Sequence, residues 1–267
     1  MAAPKITLLA FLLVLSGCAT LRQPARLPVA NSVSLEQLVI YGDFELPREH
    51  RILTQLDQMR GRISHQLGLA ATEEPIHVYL FKTPKRYRSF LRTHFPGFPD
   101  RRAFFVQTDT RLSIYAHWGD RIAEDLRHEV AHGYIHAAAP NIPLWIDEGL
   151  AEYFEVDVAF RGLNQAHLEQ LITAMRQQTW QPQLARLDRL DTIHSMEQID
   201  YAEAWAWAHL LLETTPDRRE LLQDYLADLV HGRRGEGLAS RVLRQEPDAE
   251  RRLLMHLEQL AAVSPPR

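Results

Sequence analysis

Three histidines recur at steps of four in the stretch HEVAHGYIH: His128, His132 and His136, with Glu129 directly after the first. Residues four apart on an α-helix lie about one turn apart on the same face. Two such imidazoles can reach a single metal ion while the intervening Glu projects beside it. In this H-E-x-x-H pattern the imidazoles of His128 and His132 bind zinc, and Glu129, not bound to the metal, is placed to take a proton from water. A hydrolytic zinc site also needs a third protein ligand and leaves a fourth position open. His136 is the nearest candidate, and helix geometry argues against it. Each step of four turns about 40° around the axis, so His136 lies about 80° from His128 and about 12 Å along. One ion cannot hold both. His136 is therefore expected to support a ligand or to lie at the surface.

A second acidic stretch follows, PLWIDEGLAEYFE, from Pro143 to Glu155. Pro143 can open a helix on which Glu148, Glu152 and Glu155 share one face and Ile146, Leu150 and Phe154 another. Such a face is often only solvated. Here a short turn folds the second helix back on the first, which could bring Glu148 to the metal with Glu152 one turn on.

Taken together, His128, Glu129 and His132 followed by Trp145-Ile146-Asp147-Glu148-Gly149-Leu150-Ala151 resemble the gluzincin metallopeptidases, most closely the peptidase-MA-like group. The resemblance implies a zincin-like domain binding one Zn2+ per chain, with Glu148 as third ligand and Glu152 as the acidic partner of a ligating imidazole. It extends to YAEAWAWAHLLLE: Tyr201 stands where related enzymes open a helix with a catalytic Tyr. That implies a zinc peptidase acting on a peptide or protein substrate. A Gly-x-Met-Glu-Asn stretch, which would hold a free amino terminus, is absent, so an endopeptidase is expected. The alternative is a binding or assembly module of the same fold with little or no catalysis, against which the intact Glu129 speaks.

The elements that must position these residues follow from periodicity and turn signals. LEQLVIYGDF holds a short strand at 38–41. Ile52, Leu56, Met59, Ile63 and Leu67 keep a helical period that Gly68 is placed to end. PIHVYLF (75–81) reads as a strand, and Thr83-Pro84 as a cap and first turn of a helix to about Thr93. AFFVQ and RLSIYAH flank Thr108-Asp109-Thr110 as a hairpin. RLSIYAH is the expected edge strand along which a substrate would lie. Helices are predicted at 120–138, 143–156, 163–178, 198–213, 217–230 and 248–262. Strands first and helices after make an α+β fold, a single domain over 34–263. His94, His117, His194 and His209 read as structural or surface residues.

Outside that domain, MAAPK and the apolar ITLLAFLLVL read as a signal peptide over 1–17. Leu15-Ser16-Gly17-Cys18 resembles the lipobox of bacterial lipoproteins, and Cys18 is the single cysteine of the 267 residues. A disulfide framework is thereby excluded. Acylated Cys18 would anchor the chain to a membrane, with residues 18–33 as tether. Ala19 in place of Asp points to the outer membrane, facing the periplasm of the cell envelope. No other apolar run approaches the roughly 18 residues of a membrane-spanning helix. The net charge of −4, without like-charge blocks, argues against a nucleic-acid partner.

Overall fold

The computed structural model describes residues 26–233 and 235–263. The expected signal peptide and the expected lipidation at Cys18 lie outside the described residues. A small mixed sheet comes first and a mostly helical half follows. The sheet contains β1 (Asn31–Leu35), β2 (Leu38–Gly42), β3 (Ile76–Phe81), β4 (Ala103–Thr108) and β5 (Arg111–His117), in the spatial order β1-β2-β3-β5-β4. The three inner strands run parallel to one another, and each outer strand is antiparallel to its neighbour. β1 was not foreseen: NSVSL is polar and mostly exposed, with no alternating apolar signal.

The hairpin between β4 and β5 turns at Asp109-Thr110, as expected, but its order in the sheet differs from expectation. β5 pairs with β3 on one side and β4 on the other, so RLSIYAH is an interior strand and β4 forms the edge. The residue pattern explains this. Leu112, Ser113, Ile114 and Ala116 are all buried, as suits a strand covered on both faces.

On one face of the sheet packs α3 (Ile122–Ala138), with α1 (Arg51–Leu67) against it in the same core. α1 ends where Gly68 adopts the left-handed conformation, φ 66°. The other face carries α2 (Pro84–His94), capped by Thr83 with Pro84 in its first turn. Beside it runs a row of stacked rings, Tyr41, Tyr79, Tyr115 and Phe104, one from each of four neighbouring strands in register.

The second half comprises α4 (Leu144–Phe154), α5 (Gln165–Arg176), the single turn α6 (Leu184–Leu187), α7 (Gln198–Glu213), α8 (Pro216–Val230), α9 (Leu238–Gln245) and α10 (Ala249–Val263). α7 is its axis. Every residue from Ala202 to Leu212 is buried, including Trp205 and Trp207, so this helix is apolar all round instead of on one stripe. α4 lies close against it where Gly149 meets Ala204.

Candidate metal centre

Two antiparallel helices supply the site. On α3, Leu126, Val130 and Tyr134 are buried in the core. Gly133 lets the helix approach β3: a Cβ there would stand 3.0 Å from a methyl of Ile76. This leaves His128, His132 and His136 on the face that meets α4. α3 stops at Ala138, and residues 139–143 reverse the chain, pinned by buried Ala139 and Ile142. α4 is then anchored by the Trp145 indole, which donates to Asp188 at 2.8 Å, and by Arg127, which donates to the carbonyl of Glu155 at its end.

The result is a trio of facing ligand atoms. Nε2 of His128 and Nε2 of His132 are 3.2 Å apart. Oε2 of Glu148 lies 3.7 Å from the first and 3.8 Å from the second. Ligand atoms around a tetrahedral zinc at its usual bond lengths stand roughly 3.3–3.6 Å apart, so the trio needs little adjustment to hold one ion. Oε2 of Glu148 is buried and has no hydrogen-bond partner. A carboxylate oxygen stripped of water without a partner is costly, and a cation facing it would remove that cost. The donor set therefore fits a divalent metal such as zinc.

The far side of each imidazole is engaged. Nδ1 of His132 is 2.8 Å from Asp147 and Nδ1 of His128 is 3.1 Å from Glu155. Such contacts fix the tautomer and leave Nε2 free to ligate. Asp147 also meets Nε2 of His136 at 2.9 Å, while Nδ1 of His136 meets Gln107 of β4 at 2.6 Å. His136 thus supports His132 through a shared carboxylate. Glu152, expected to orient a ligating imidazole, is instead engaged by His167 at 2.8 Å and Asn164 at 3.3 Å. One turn of helix carries its carboxylate past His128, and Glu155 takes that place, itself held by Asn164 at 2.9 Å. His132, His136 and Asp147 form a second possible ligand group, and His128, Glu152 and Glu155 a third. Their atoms are already hydrogen-bonded to one another or to His167, unlike Oε2 of Glu148.

Electrostatics follow from this crowding of acids around imidazoles. Burial disfavours the imidazolium of His128, but the nearby carboxylates of Glu148 and Glu155 outweigh it and leave its pKa well above the usual value. For His132 burial is outweighed by Asp147 above all, and the pKa rises to about 9. The site is a place for positive charge. Burial raises the Glu129 carboxyl above the ordinary range, with His128 and His132 pulling the other way. Glu129 is 8% exposed and faces open space beside His128.

Two cavities meet at His128 and Glu129. One, about 580 Å³, is walled by Phe95, Phe98, Phe105 and Leu144. The other, about 940 Å³, is walled mainly by charged and polar groups, among them Asp157, Asn164 and Gln198. His194, set aside as structural or surface, lines the apolar cavity. Phe105 of the edge strand lies against the rings of His132 and His136, so β4 runs beside the site. Tyr201 sits in the first turn of α7. Burial and then the charge of Glu148 raise its phenol, and a contact with Arg101 opposes them. His209 is buried away from the site, its Nδ1 3.0 Å from Nε2 of His256.

Asp147, Glu155 and Arg101 had no role foreseen in the sequence. The repeat of His132 and His136 one turn apart could have pointed to a shared acid. Arg101 lies in a loop without a pattern. The chain matches no protein-family model and no curated protein.

Proposed function

We propose that this protein is a zinc-dependent peptidase of zincin-like architecture, held at a membrane of the cell envelope by acylated Cys18. The carrying observation is the facing trio of His128, His132 and Glu148, with an unpartnered buried oxygen and Glu129 alongside. Zinc held there would supply Lewis acidity and make hydroxide available near neutral pH.

The chain's own residues do the rest. Glu129 accepts the proton of the attacking water and returns it to the leaving amine. Its raised pKa suits both halves of that exchange. Tyr201 donates a hydrogen bond to the oxygen on which negative charge develops. A substrate backbone extends along the free edge of β4, with one cavity lined by the whole trio and a second that joins it at His128 and Glu129, which gives an endopeptidase substrate room beyond the ligands.

Metal analysis and cleavage of an unfolded protein substrate test this together. Wild type is expected to hold one zinc per chain, Glu148→Ala to lose it, and Glu129→Gln to keep it while cleavage falls by about 10²–10⁴. Full zinc occupancy in Glu148→Ala would remove Glu148 as a ligand. Undiminished cleavage by Glu129→Gln would remove the general base.

A further inference from the structure

We propose that Arg101 is a specificity residue that binds a carboxylate of the substrate, beside the metal-ligand trio. The inference rests on the peptidase reading for the nature of the ligand, and on the cleft itself for its place. Arg101, His128 and Glu129 are the three residues that line both cavities. In the apolar cavity Arg101 is the one arginine or lysine among the described lining residues.

The other arginines of the cleft are neutralised or held by the protein. Arg102 forks onto Asp125, with contacts of 2.6–3.0 Å. Arg121 pairs with Glu124. Arg127 is taken by the carbonyl of Glu155 and by Gln55. Arg101 has no carboxylate within 4.0 Å among the described residues, and its neighbour is the uncharged hydroxyl of Tyr201.

It is nonetheless held in place. On one side Asp100 is tied to Arg88 at 3.2 Å, on the other Arg102 is tied to Asp125, and the Arg101 backbone N–H donates to Pro99 at 2.9 Å. A partly buried guanidinium with no carboxylate in contact is unfavourable alone. Its planar fork matches a carboxylate in two parallel hydrogen bonds. Asp147 meets two imidazoles, Glu148 faces His128 and His132, and Glu129 feels the charge of Arg101 without forming a salt bridge to it. An acid that meets Arg101 must arrive with the substrate, as an Asp or Glu side chain or as a chain terminus.

Three dipeptides separate these sources: acetyl-Phe-Glu-amide, acetyl-Phe-Gln-amide and acetyl-Phe-Gln with a free carboxyl end. Their binding to the full chain is measured by NMR titration, with zinc and after chelation, and their turnover is followed separately. At least one acid is expected to bind about tenfold more tightly than the neutral peptide, with or without zinc. Arg101→Gln should abolish the difference, and Arg101→Lys should keep only part of it. Equal binding of all three to wild type, or a preference that survives Arg101→Gln, overturns the proposal. A preference that needs zinc overturns it too, because the metal would then be the receptor. Preference without turnover of any peptide or protein counts against the peptidase reading and leaves Arg101 as the carboxylate receptor.

Discussion

Glu155 and Asp147 stand behind His128 and His132, and each meets an imidazole Nδ1 while Nε2 faces the partner ligand. A negative group on Nδ1 raises the basicity of the opposite nitrogen and stops the ring from rotating. Glu155→Gln should therefore weaken zinc binding by about 10- to 100-fold, read by competition with a chelator of known affinity. Glu152→Gln should cost far less, because its carboxylate serves His167 and Asn164. A larger loss in Glu152→Gln than in Glu155→Gln would reverse this assignment.

The packing of α4 on α7 is what brings the first turn of α7, and with it Tyr201, towards the site. Gly149 sits where the two helices are closest: a Cβ there would stand 2.4 Å from the carbonyl oxygen of Ala204. That contact is with backbone, so no rotamer change relieves it. Gly149→Ala should cost about 1–3 kcal/mol through overpacking and lower turnover by moving Tyr201, three residues before Ala204. Gly61→Ala is the control. Gly61 is inside α1 with nothing within 4 Å of a Cβ, so Ala there should raise stability by roughly 0.5–1 kcal/mol. Thermal melts of the two variants should move in opposite directions, and a stabilised Gly149→Ala would disprove the close approach.

The whole molecule should be acid-sensitive for a reason unconnected with metal. His209 of α7 and His256 of α10 face each other in the core between Tyr153, Trp205 and Arg218. Burial, and then the charge of His256, lowers the pKa of His209 to about 3. Burial, and then the charge of Arg218, lowers that of His256 to about 4. Both rings are neutral in the folded and unfolded chain well above pH 6.5, so they confer no pH dependence there. Below about 6.5 the unfolded chain takes up protons that the native pair refuses, and stability falls by as much as about 1.4 kcal/mol per pH unit for each ring. His256→Gln keeps a hydrogen-bonding group opposite His209 and removes one titrating ring. In the chelated protein its loss of stability between pH 6.5 and 5, from urea melts, should be smaller than that of wild type. An unchanged slope would place the acid sensitivity elsewhere.

The local parts of this architecture were legible from sequence. α7 covers residues 198–213 as its pattern predicts, and Gly68 and Thr83-Pro84 bound their helices as expected. That His128 and His132 can share an ion while His128 and His136 cannot is a matter of helix pitch, which neighbouring residues decide alone. Partners distant in the chain were not legible. Whether Glu152 or Glu155 meets His128 depends on the axial offset of α4 against α3, which the 139–143 turn and the Arg127 contact set. That β4, not β5, forms the edge depends on which strand pairs with β3. The approach of Arg101 to Tyr201 joins a loop and a helix a hundred residues apart. In each case the deciding contact is non-local, and a periodic pattern records only which face a residue occupies, not what lies across from it.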